Sequence, residues 1–111
     1  MGMTLDEYQR LALRTAADKA KKNELYHLVL GLVGETGEVA EKFKKLVRDR
    51  QSDESALDRE DLVAELGDVL WYLAVLADYF ELKLEDVGAR NIAKLADRQR
   101  RGVLGGDGDA R

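Results

Sequence analysis

The chain has no cysteine and no proline among its 111 residues. Without cysteine there are no disulfides and no thiolate metal sites, which fits a reducing compartment and leads to the expectation of a cytoplasmic protein. Without proline, nothing breaks a long helix from within. There is a single tryptophan and a single histidine. A di-iron carboxylate bundle asks for Glu-x-x-His twice, so one histidine excludes that chemistry. No apolar run approaches the ~20 residues that span a bilayer, so no membrane partner is expected. The start, Met1-Gly2-Met3-Thr4-Leu5-Asp6-Glu7, lacks the basic and apolar stretches of a signal peptide. A basic excess is missing too: 18 Lys and Arg against 22 Asp and Glu leave a formal net charge of −4. That argues against a nucleic-acid partner, but not against small phosphorylated substrates, because a bound divalent ion reverses the local sign.

What is present is apolar residue, 45% of the chain, enough for one core. At this length one domain is expected, with oligomerisation as a natural supplement to a small core. Thr4 and Glu7 form a capping-box pattern, and Leu5, Tyr8, Leu11 and Ala12 follow at helical spacing. A first helix is expected from about residue 4 to 19, then a polar turn to Asn23. Leu25, Leu28, Leu32, Thr36, Val39, Phe43 and Leu46 keep an amphipathic rhythm, which predicts a second helix from about Glu24 to Arg48. The segment from Arg48 to Ser55 reads as a surface loop. Asp58, three residues before Asp61, is placed to cap a third helix carrying Leu62, Leu66, Val69, Leu73, Leu76 and Phe80. Tyr79 to Lys83 is its exit. A fourth helix starts near Leu84 and ends before Gly102, well placed as a C-cap. No stretch alternates with period two. The expected fold class is all-α, a four-helix bundle-like protomer, with residues 1–104 as one domain and 105–111 as a disordered tail.

Two short stretches carry the chemistry. Glu35-Thr36-Gly37-Glu38 places two carboxylates at i and i+3 inside an apolar run, and Glu65-Leu66-Gly67-Asp68 repeats the device. On a helix each pair lies on one face, and like charges at the edge of a core call for a cation. At about 100° per residue the two pairs occupy matching positions beside their apolar stripes. An antiparallel pairing would bring them together, as four hard oxygen ligands suited to Mg²⁺ or Mn²⁺. A metal-free reading also exists: Glu38 with Lys42, and Glu41 with Lys45, are i,i+4 ion pairs on a solvated face. Glu41 lies roughly opposite the stripe.

Other residues border this acidic sector. Tyr72 is one turn beyond Asp68, either binding a substrate oxygen or capping the core edge. Gly31 and Gly34, each costing ~1 kcal/mol in a helix interior, suggest close helix approach or room for a ligand. His27 reads as a surface or edge residue. Trp71 lies off the stripe, fit for a subunit interface or for a nucleobase. Asn91, Lys94 and Arg98 share one face of the fourth helix. They are either a solvated face or an amide and two cations for polyphosphate oxygens.

Taken together, Gly34-Glu35-Thr36-Gly37-Glu38-Val39-Ala40-Glu41, then Glu65-Leu66-Gly67-Asp68-Val69-Leu70-Trp71-Tyr72-Leu73, then Asn91-Ile92-Ala93-Lys94-Leu95 with Arg98, resemble the MazG-type all-α nucleoside triphosphate pyrophosphohydrolases. The similarity runs from about Thr4 to Gly102. Many members have an acidic residue directly before the first ligand, where this chain has Gly34. The resemblance implies Mg²⁺ held by Glu35, Glu38, Glu65 and Asp68, and a homodimer or a dimer of dimers. It implies hydrolysis of a (d)NTP to the monophosphate and pyrophosphate, for house-cleaning of non-canonical nucleotides or for pool control. Tyr72, Asn91, Lys94 and Arg98 would hold the phosphates, and Glu38 or Glu35 would serve as the catalytic base. Two further readings are a phosphoribosyl-ATP, dUTP or dCTP pyrophosphatase of the same superfamily, and a non-catalytic helical scaffold or nucleotide-binding regulator.

Overall fold

A computed structural model describes residues 2–102. It is all-helical, as expected, with no strand among the described residues. Helix α1 spans Leu5–Ala12, α2 Glu24–Arg50, α3 Arg59–Tyr79 and α4 Leu84–Arg101. Short 3₁₀ turns at Leu13–Thr15 and Glu54–Ala56 follow α1 and precede α3. The expected tail at 105–111 lies outside the described residues.

Local chemistry sets most boundaries. Thr4 Oγ1 accepts from the Glu7 amide at 3.1 Å while the Glu7 carboxylate reaches back to the Thr4 amide, the full capping box. Asp58 accepts from the Asp61 amide at 3.2 Å and starts α3. Gly102, at φ 74°, closes α4 in the left-handed region where glycine carries no Cβ penalty.

Helix α1 ends well short of residue 19. In a continuing helix the Ala12 carbonyl would accept from the Ala16 amide. Here it accepts instead from Thr15 Oγ1 at 3.0 Å and from Trp71 Nε1 at 3.2 Å. The Ala16 amide turns to the Leu13 carbonyl, and the helix tightens and stops. Trp71 therefore has an intramolecular role. Its indole N–H also donates to Thr15 Oγ1 at 2.8 Å, and its ring packs beside Ala12, Ala74 and Leu84.

Helices α2 and α3 form an antiparallel hairpin. Their contacts run in opposite sequence order: Lys42 meets Asp61, Glu35 gathers with Asp68, and Gly31 lies against Tyr72. Helices α1 and α4 pack on α3 around Ala12, Ala74 and Leu84, all under a tenth exposed. The small residues at this crossing let the backbones approach closely. Gln9, buried in the same place, ties three elements together. Its amide donates to the carbonyls of Ala74 at 2.9 Å and Leu82 at 3.1 Å, and its oxygen accepts from the Leu84 amide at 2.9 Å.

Much of the apolar stripe stays uncovered. Phe43, Leu66, Leu73 and Phe80, read as core from their spacing, are 41%, 51%, 41% and 56% exposed. An apolar groove of about 560 Å³ lies between the hairpin and the start of α4, lined by Tyr26, Val29, Leu73, Leu76, Phe80 and Val87.

Gln9→Leu removes three hydrogen bonds at once, two of them buried, and takes from the Leu84 amide its buried acceptor. It is expected to cost about 2–4 kcal/mol, read as a lower midpoint in urea unfolding with the helical signal of the native state retained.

Candidate metal and phosphate site

The antiparallel register brings Glu35 of α2 together with Glu65 and Asp68 of α3. One carboxylate oxygen from each lies within 4.8 Å of the others. Each side chain is placed by its helix: Glu65 and Asp68 share a face of α3 at i and i+3, and Glu35 faces them because its position is matched on the opposing helix. Glu35 and Glu65 are half-buried and Asp68 is exposed. Burial, together with the charges of Asp68, Glu65 and Glu38, holds the Glu35 carboxyl above its ordinary range. Three hard oxygen donors gathered this closely suit a divalent cation, and the donor set fits Mg²⁺ or Mn²⁺.

Glu38, the remaining expected ligand, stays outside the trio. It is exposed, and its charge reaches Glu35. The i,i+4 pairs of Glu38 with Lys42 and of Glu41 with Lys45 do not form among the described residues. Lys42 crosses to α3 instead, where it pairs with Asp61 and lies 3.6 Å from Glu65.

Tyr72 stands over Gly31, where an added Cβ would run into its ring. Gly31 is thus the close helix approach expected of it, whereas a Cβ on Gly34 would meet only open space. Neighbouring rings fix the Tyr72 orientation edge-to-face, Trp71 at 4.9 Å and His27 at 6.0 Å between centroids. His27 itself lies at the surface, its Nδ1 3.3 Å from the buried Glu24 carboxylate.

The α4 trio does not form one open face. Asn91 and Lys94 are exposed and, with Val87 and Arg90, line a shallow concavity of about 320 Å³. Arg98 is buried, only 3% exposed. The stripe through Asn91, Lys94 and Arg98 is therefore not uniform, exposed at its first two positions and buried at the last.

Two residues near the site escape a reading by spacing. Tyr8 of α1 comes close enough to Asp68 that burial and this charge raise its hydroxyl above the ordinary tyrosine value. In the sequence it is one more apolar position on a core stripe. Lys42 was read within its own helix, because a partner on another helix leaves no periodic mark.

Comparison with known proteins agrees with the site. A sequence model of the MazG nucleotide pyrophosphohydrolase domain matches residues 23–103. The chain belongs to this family. Among its relatives, the Gene 37 protein of Mycobacterium phage L5 is 44% identical over 114 residues, covering 98% of this chain and 100% of the phage protein. The uncharacterized protein YvdC of Bacillus subtilis (strain 168) is 35% identical over 72 residues, 60% of this chain and 68% of its own. No solved structure gives a significant match.

The raised Glu35 carboxyl gives a pH dependence of fixed sign. The folded chain holds this proton more tightly than the unfolded one, so this group's contribution is full below its unfolded pKa and is lost as pH rises through the folded value. At neutral pH, without metal, Glu35→Gln is therefore expected to raise the melting temperature, a gain that vanishes at acidic pH. Scanning calorimetry of both proteins across that pH range in EDTA checks it.

Proposed function

We propose that this MazG-family protein is a divalent-cation-dependent nucleoside triphosphate pyrophosphohydrolase, cleaving a (d)NTP to (d)NMP and pyrophosphate in house-cleaning or nucleotide-pool control. The observation that carries the proposal is the meeting of Glu35, Glu65 and Asp68 across two antiparallel helices in a chain whose family is defined by nucleotide pyrophosphohydrolase domains.

Phosphoryl-group hydrolysis demands charge neutralisation and in-line positioning more than covalent chemistry. Glu35, Glu65 and Asp68 would hold the cation, with Glu38 as a fourth ligand or base beside them. A bound Mg²⁺ would supply charge neutralisation at the phosphate oxygens and a more acidic water. Glu38 is the better candidate for the base: it is exposed, it neighbours Glu35, and Lys42 does not occupy it. A carboxylate so placed can take the proton of the attacking water. Tyr72, held by Trp71 and His27, offers a hydroxyl one turn beyond Asp68. Asn91 and Lys94 supply an amide and a cation for the departing phosphates. Arg98, buried on α4, would join them only after its side chain is released from its packing.

A homodimer completes this reading. The apolar groove beside the hairpin and the exposed stripe residues Phe43, Leu66, Leu73 and Phe80 form the kind of surface that a partner subunit covers.

The test is pyrophosphate release from canonical and modified (d)NTPs with Mg²⁺, Mn²⁺ or EDTA. Metal-dependent release of pyrophosphate with the monophosphate is expected, and the rate order names the substrate. Glu38→Gln and Asp68→Asn should each reduce turnover by about 10²-fold or more with unchanged circular dichroism; full activity in both would refute the assignment. No release from any nucleotide, with no thermal shift by metal, would instead favour a scaffold.

The two α4 cations should separate. Lys94→Ala is expected to raise KM with little change in melting temperature, while Arg98→Ala loses about 1–3 kcal/mol of stability before any nucleotide is added. Steady-state kinetics and thermal melts of the same preparations distinguish them.

A further inference from the structure

Lys42 brings a cation to the acidic trio from outside it. Its ammonium pairs with Asp61 and stands 3.6 Å from Glu65 Oε1. Both its side chain and that of Glu65 are about a fifth exposed, at 21% and 19%, so this pair is screened less than one in open water. Asp61 lies one helical turn before Glu65, so one lysine of α2 holds two successive turns of α3.

We infer that Lys42 is the resident counter-cation of the trio, offsetting carboxylate repulsion in the metal-free chain and opposing a divalent ion once one is bound. The inference rests on reading Glu35, Glu65 and Asp68 as a divalent-cation site. Two charges of the same sign then compete for Glu65. The lysine is tethered to α2 and cannot leave as a solvent ion would. Asp61 is the alternative partner that draws it away from Glu65. Lys42 thereby sets the metal affinity lower than the carboxylates alone would give, and Asp61 sets how strongly that penalty is felt. Neither residue needs to touch substrate; both act through Glu65.

The experiment uses the full chain and Mn²⁺ alone, with free Mn²⁺ followed by electron paramagnetic resonance and melting temperatures measured in EDTA. Lys42→Met is expected to bind Mn²⁺ about three- to tenfold more tightly while melting lower without metal. Asp61→Asn should bind it more weakly, since Lys42 is then left to Glu65. Lys42→Arg should resemble the parent in both measurements. Unchanged or weaker binding by a folded Lys42→Met protein overturns the inference. Should that variant not fold, unchanged or tighter binding by Asp61→Asn overturns it equally.

Failure of the parent chain itself to bind Mn²⁺ would refute the cation site. The counter-cation role is then decided without metal. Lys42→Met should lower the melting temperature less in a Glu65→Gln background than in the parent, and equal losses in both backgrounds overturn it.

Discussion

The antiparallel register of α2 against α3 is the constraint on which everything else depends. Neither helix alone makes more than a pair of solvated carboxylates. Set in opposite directions, with Tyr72 lying against Gly31 and Lys42 reaching Asp61, they hold Glu35, Glu65 and Asp68 within 4.8 Å of one another. That gathering is unfavourable by itself, as the raised Glu35 carboxyl records. It persists because the register is set by packing on both sides of it. Glycine at position 31 admits the tyrosine ring on one side, and the lysine bridge ties the helices on the other. Repulsion stored between preorganised ligands is what a cation relieves on binding.

Helices α1 and α4 serve this hairpin from α3. The Gln9 amide locks them to the exit of α3, and the indole of Trp71 ends α1 by taking its carbonyl. Both devices act on the stretch of α3 that follows Asp68, which fixes the orientation of Trp71 and, through it, of Tyr72. The apolar groove between the hairpin and α4 and the exposed stripe residues are left uncovered within one chain, and belong with a second subunit in the proposed assembly.

The sequence was legible wherever a signal is local. The capping box at Thr4, the Asp58 cap, the Gly102 stop and the two carboxylate pairs depend on residues three or four positions apart, and all appear where spacing put them. The motif order was sufficient to reveal the MazG family, and the family match agrees. Illegible were the interactions whose partners lie on other helices. Lys42 passed over Glu38 for Asp61 and Glu65. Trp71 turned inward because the Ala12 carbonyl and the Thr15 hydroxyl were there to receive its N–H. The stripe through Leu66, Leu73 and Phe80 identified an apolar face correctly, but not what covers it, because periodicity records that a face is apolar and not which surface meets it.

The sequence by itself determined that the chain is all-helical, where its caps lie, and which four acidic residues pair at i and i+3 on their own helices. These follow from backbone hydrogen bonding and the 3.6-residue repeat, which are complete within one helix. The tertiary structure decided that three of the four carboxylates converge while Glu38 stays exposed, and that Arg98 is buried while Asn91 and Lys94 are open. It also decided that Tyr8 and Lys42 stand at the site. These outcomes depend on the register and contact between elements distant in the chain, where a shift of one residue turns a side chain by about 100° and changes what it faces.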